Sequence, residues 1–135
     1  MPSEARWLIR TALVYLAVAL GLGLVRAGQA AGLVPGLPAT LWLPQLHFLT
    51  VGWLTQLIFG VAFWLFPRPL PDTWGPPVIW SAYATLNLGL VLRFLSEPAL
   101  LSPSVRSWGL LASAALQWVA SLLLVGYFWR RVRSK

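Results

Sequence analysis

The sequence predicts an all-α, polytopic membrane protein: a bundle of four transmembrane helices, both termini in the cytoplasm, forming a single domain over residues 1–135. Three observations carry that prediction. Hydrophobic residues make up 59% of the chain and mean hydropathy is +0.75, well outside the usual range of soluble domains. Charged residues amount to 10%, too few to cover the outside of a soluble domain. The apolar residues also gather into four segments, each near the length that a bilayer core demands.

The first segment covers about residues 7–26, with Arg10 and Arg26 near its ends. Its uncharged centre is short, so both arginines are expected to snorkel toward headgroups. A helix continuing past Arg26 should run until Pro35 stops it. No small-residue cleavage site follows the apolar core, so the segment reads as a retained span rather than a signal peptide. The Gly-, Ala- and Pro-rich stretch 27–43 reads as a loop whose Leu41–Pro44 part lies at the interface, with Trp42 as anchor.

The second segment covers about residues 45–66 and carries no charged group except a protonated His47. At ~1.5 Å rise per residue it spans about 30 Å, the hydrocarbon thickness. Pro67 should end it, because the ring cannot continue the hydrogen-bond ladder. The proline-rich connection 67–77 then reads as non-helical. The third segment, about 78–95, has Arg93 near its far end and is broken by Glu97-Pro98. Ser102-Pro103 reads as an N-cap followed by Pro in the first turn. The fourth segment, about 105–129, leads into the basic tail RRVRSK.

Orientation follows from counting bases on alternate sides. Arg6, Arg10, Arg68, Arg130, Arg131, Arg133 and Lys135 fall on one side, and Arg26, Arg93 and Arg106 on the other. Seven against three places both termini in the cytoplasm of a bacterial inner membrane. His47 then lies near the periplasmic face. A soluble bundle would need polar outer faces, and a β-barrel would need short alternating segments; the spans show neither pattern.

The net charge of +7 does not indicate nucleic acid, whose partners cluster Lys and Arg on a solvated stripe. Here the bases flank apolar runs, so the lipid bilayer and its anionic headgroups are the expected partner. The absence of cysteine excludes disulfides, thiolate metal sites and haem thioether attachment.

Polar residues inside spans are costly and therefore informative. The second span holds Thr50, Thr55 and Gln56, the third Asn87, and the fourth Ser113, Gln117 and Ser121. The last three recur at i, i+4, i+8 and are expected to line one helical face. Gly52, Gln56 and Gly60 repeat that spacing. Gln56, Asn87, Ser113, Gln117 and Ser121 read first as helix-packing groups. A transporter or channel lining is the weaker reading. No acid lies within a span to relay protons, and so sparse a set suits a neutral solute better than an ion.

His47 is the one histidine. A lone His near a helix end is often an interfacial hydrogen-bonder, yet imidazole is also the usual axial ligand of haem iron. Arg93 and Arg106 are expected at a similar depth on the same side, where cations can pair with haem propionates; snorkelling is the plainer role for both. With Met1 the one methionine, His47 could supply one axial bond per chain. A bis-imidazole haem b would need two chains meeting at their His47 ends. Zinc and copper sites fail for want of ligands. No nucleophile–base pair, carboxylate dyad or phosphate loop is present, so no enzymatic centre is expected.

The run LHFLTVGWLTQLIFGVAFWLFPR resembles the second helix of the large subunit of the haem-copper oxidase superfamily, most nearly in its nitric oxide reductase and cbb3-type branches. The shared features fall on His47, Trp53, Gly60, Phe66 and Pro67, about one sixth of the chain. The chain also looks like small four-span bacterial proteins related to the N-terminal part of that subunit. The resemblance implies that His47 ligates a low-spin haem near the periplasmic face. The family's other haem and copper ligands are histidines on later helices, and this sequence has no second histidine, so catalysis by this chain is not expected. The resemblance implies instead a non-catalytic accessory or assembly protein of a respiratory oxidase or nitric oxide reductase, packed against partner subunits or a second copy. A small b-type haem protein for electron transfer or gas sensing is the alternative.

Overall fold

A computed structural model of the chain describes residues 1–36, 38–66, 72–98 and 101–133. Among these residues there is no strand, and four helices are long and apolar enough to cross a membrane. They are α1 (Ser3–Ala30), α2 (Trp42–Leu65), α3 (Gly75–Ser96) and α4 (Pro103–Arg133). A 3-10 turn, Ala39–Leu41, leads into α2.

The helix ends explain where the sequence expectations fall short. α1 does continue past Arg26, but it stops before Pro35. Gly32 adopts a left-handed φ of 72°, the Gly32 N–H donates to Gln29 O at 2.9 Å, and the Leu33 N–H donates to Gly28 O at 2.9 Å. These paired bonds form a Schellman cap, which satisfies the last carbonyls without a proline. α2 begins at Trp42 rather than inside the expected 45–66 segment, so the interfacial Leu41–Pro44 loop is mostly first-turn helix. Pro44 sits there at no cost, since a first-turn N–H has no helical partner. The same reasoning corrects the connection: Gly75, Pro76 and Pro77 already belong to α3. The stop assigned to Pro67, the base at Arg68 and the base at Lys135 lie outside the described residues.

α2 is not a uniform helix. Trp42–His47 and Gln56–Leu65 are α-helical, and Phe48–Thr55 between them is π-helical. The Thr55 hydroxyl donates across five residues to Thr50 O at 2.8 Å. The wider π turn rotates less per residue than an α turn. Gly52 and Gln56 therefore stay in register with Gly60, and all three are buried.

The helices form two antiparallel hairpins, α1 with α2 and α3 with α4, joined chiefly by α2 against α3. One apolar cluster, including Leu8, Phe63, Ile79 and Leu124, fills the end of the bundle that holds the start of α1 and the end of α4. A smaller one, Ala19, Phe48 and Leu90, fills the other end. In lipid there is little hydrophobic drive between helices, so close packing and interhelical hydrogen bonds must hold them together. Three glycines provide the close approach. A Cβ on Gly52 would lie 2.7 Å from Tyr15 Cγ, one on Gly60 3.0 Å from Leu8 Cβ, and one on Gly89 3.1 Å from Ser113 O. The outer faces are predominantly apolar, with Leu24, Trp108 and Trp118 more than half exposed. That inverts the usual soluble pattern and suits a hydrocarbon surround.

Candidate functional site

Chemistry-bearing side chains collect at three levels of the bundle. At the level of the π segment and below it, a polar layer crosses the middle. Gln56 Nε2 donates to Asn87 Oδ1 at 3.3 Å while Asn87 Nδ2 returns a bond to Gln56 Oε1 at 3.2 Å. Each amide also binds its own helix, at Gly52 O (3.0 Å) and Tyr83 O (2.7 Å). Thr11 and Tyr83 share a hydroxyl–hydroxyl bond of 2.8 Å between α1 and α3. Between α3 and α4, Ser113 Oγ donates to Gly89 O at 2.7 Å and receives Gln117 Nε2 at 3.0 Å.

Gln56 and Asn87 thus join α2 to α3, and Ser113, with Gln117 bonded to it, joins α4 to α3. Ser121 does not join them: it is exposed and its hydroxyl bonds to Trp118 O on its own helix at 2.7 Å. The reason is rotation. In a 3.6-residue helix each four-residue step overshoots a full turn, so two steps carry Ser121 off the face that Ser113 occupies. α2 escapes that drift through its π segment, and α4 has none.

The second level is the end where α1 finishes, α2 begins, α3 finishes and α4 begins. His47, Arg93 and Arg106 all lie at this end, as the spans' alternation requires. His47 is half-buried, and its Nδ1 bonds to Leu43 O at 2.9 Å. The bond fixes the ring on its own helix and leaves Nε2 without a protein partner among the described residues. Phe48, next in the chain, lies between Tyr15 (centroids 5.1 Å) and Phe94 (5.5 Å). This ring stack ties the histidine turn to both α1 and α3.

The two arginines are held differently. Arg93 Nε lies 3.0 Å from Glu97 Oε2 in an i,i+4 ion pair, and Arg106 Nη2 donates to Glu97 O at 3.5 Å. The Glu97 side chain is buried, so its carboxylate needs the Arg93 counter-charge, while Arg106 binds the backbone carbonyl of the same residue. In sequence Glu97 reads as a helix breaker; its spacing of four from Arg93 is the available sign of the ion pair. The structure also adds a bridge that sequence could not show. Arg26 Nη1 donates to Gln45 Oε1 at 2.9 Å, and Gln45 Nε2 donates to Ala19 O at 3.1 Å, fastening the start of α2 to α1.

These positions bear on the haem expectation. A histidine whose Nδ1 is anchored to a carbonyl presents its other nitrogen as the binding atom, the usual preparation of a metal-ligating imidazole. His47 fits an axial role. Arg93 and Arg106 fit the propionate role less well, because both are engaged at Glu97. No group of three or more His, Cys, Asp or Glu side chains is close enough to hold a metal ion among the described residues.

The third level is the opposite end. Arg131 of α4 is buried there; its guanidinium donates to Phe66 O at the close of α2 and lies 5.3 Å from the Phe63 and Tyr127 ring centroids. In sequence Arg131 reads only as a basic tail residue, yet it closes the end of α2. Nearby, Asp72 accepts from the Gly75 N–H at 2.8 Å and from the Tyr127 hydroxyl at 2.7 Å, so one carboxylate fastens the start of α3 to α4. Comparison with protein-family models, curated proteins and solved structures finds no match to this chain.

Proposed function

We propose that this chain is a non-catalytic, multi-pass protein of the bacterial inner membrane, with both termini cytoplasmic, serving as an accessory or assembly subunit of a respiratory haem-copper-type oxidase or nitric oxide reductase. The observation that carries the reading is how its polarity is distributed. The Gln56 and Asn87 amides bond to each other and Ser113 bonds to Gly89 O and Gln117 between the helices, while the outer faces offer large apolar side chains such as Trp118 and Trp129 to a neighbour. Such a body packs against other helices without offering substrate a place to react. The likeness of the second span to the oxidase large subunit supplies the partner class. The same internal pairing of Gln56, Asn87 and Gln117 weighs against a transport path.

The test is extraction of native membranes in mild detergent with the chain tagged. Co-migration with an oxidase or nitric oxide reductase large subunit, and loss of the assembled complex on deletion, are expected. A chain that migrates alone, with oxidase levels unchanged on deletion, would overturn the reading.

A second reading is favoured by the His47 geometry: a b-type haem protein, dimeric because each chain offers a single imidazole. When bound, the haem would supply redox or gas-binding chemistry, and His47 would hold and orient its iron. A Soret band in protein from haem-replete cells, abolished by His47→Ala, is the expected result. A colourless preparation would refute it.

A further inference from the structure

Between the start of α3 and the end of α4 the bundle opens into a groove. A cavity of about 430 Å³ has Val78, Leu122 and Leu123 in its wall and Arg130 and Arg131 at its rim. A second cavity reaches Pro77 and Ser81 and shares Thr73, Trp74, Val78 and Leu123 with the first, extending the groove along α3. Its shape is therefore an apolar trough with a cationic end.

Gly126 lies on this groove, and a Cβ built there meets nothing within 4 Å. A glycine inside a helix weakens it. At Gly52 and Gly89 a neighbouring helix accounts for the choice, since a side chain there would collide with it. At Gly126, as at Gly21, no neighbour does, but Gly126 alone of the two lines the trough, where the missing side chain leaves open volume.

Among the described residues that line the groove, the charged ones are Arg130, Arg131 and Asp72, a balance of one positive charge. Both Asp72 oxygens are already bound, by the Gly75 N–H and the Tyr127 hydroxyl. Arg131 is folded inward onto Phe66 O and its aromatic neighbours, while Arg130 is exposed. The rim thus presents cationic character beside an apolar trough, at a helix end where a bilayer places phosphates.

We propose that this groove holds one anionic phospholipid, with an acyl chain along Val78, Leu122 and Leu123 and its phosphodiester against Arg130. The inference rests on the membrane reading alone and is independent of the oxidase partner. The net positive rim favours a headgroup of net negative charge over a zwitterionic one of the same length.

The test uses the full chain in detergent, offered phosphatidylglycerol and phosphatidylcholine with identical acyl chains, and native mass spectrometry to count retained lipids. One phosphatidylglycerol per chain is expected to persist in preference. R130Q should lower that preference about fivefold, the equivalent of about 1 kcal/mol for one arginine near an anionic headgroup. Gly126→Leu should reduce retention of both lipids with helicity unchanged, since it fills open space and favours the helix. Arg10→Gln, at the same end but on α1, should change neither. Equal retention of the two lipids by the unaltered chain would overturn the proposal, as would an Arg10→Gln loss matching that of R130Q, or full retention by Gly126→Leu. A chain that dissolved in buffer without detergent would instead overturn the membrane reading itself.

Discussion

Breaking the Gln56–Asn87 amide pair from one side only should reveal how much the mid-bundle polar layer contributes. Asn87→Leu removes both reciprocal bonds, 3.3 and 3.2 Å long, between α2 and α3. Gln56 keeps its donor bond to Gly52 O, but Gln56 Oε1 loses its one partner in a side chain that is 0% exposed. Interhelical hydrogen bonds in membranes average about 0.6 kcal/mol and reach about 1.7. A buried acceptor left unpaired costs about 1–3 kcal/mol. The single variant should therefore lose about 2 kcal/mol. The double variant, Gln56→Leu with Asn87→Leu, replaces both partners by apolar groups and should recover much of that loss. Reversible unfolding in mixed micelles, followed by circular dichroism, measures all four corners of the cycle. A coupling energy of about 1–2 kcal/mol is expected. Additivity within about 0.5 kcal/mol, the ordinary scatter for independent sites, would refute the pairing.

Gly52→Ala should cost about 1–3 kcal/mol in the same assay by overpacking against Tyr15. Gly21→Ala, where a Cβ meets nothing within 4 Å, should cost nothing; equal effects at the two positions would discredit the close-approach argument. Tyr127→Phe should lose about 1 kcal/mol by withdrawing the hydroxyl from Asp72, and unchanged stability would show that this bridge contributes nothing. Because the chain has no cysteine, single cysteines report orientation directly. In intact cells a membrane-impermeant maleimide should label Gly36→Cys and spare Ser3→Cys, and the reverse pattern would invert the proposed topology.

Local chemistry made some of this legible in advance. Pro98 and Pro103 bracket the turn between α3 and α4 as expected, because proline's missing N–H acts on its own neighbours whatever the fold. Other features depended on partners distant in sequence. Arg131 reads as one of several tail cations until the end of α2, some 65 residues away, is seen to supply its acceptor. Glu97 lay within reach of inference through its spacing from Arg93, but its burial, and the bond from Arg106 to its backbone carbonyl, did not. Pro76 and Pro77 misled because proline both breaks helices and opens them; Asp72, three residues before Gly75 and bonded to its N–H, was the local sign that a helix opens there.

By itself the sequence determined the solvent and the number of spans. Hydrophobic segments of bilayer length can satisfy their backbone only as helices, so segmentation fixes the architecture before any contact forms. Tertiary structure alone decided which polar groups meet. Equal four-residue spacings gave Gly52, Gln56 and Gly60 a common buried face but turned Ser121 outward. The difference lies in local helical pitch, a π turn in α2 and none in α4, and the consequences of pitch appear only when a second helix is there to be faced.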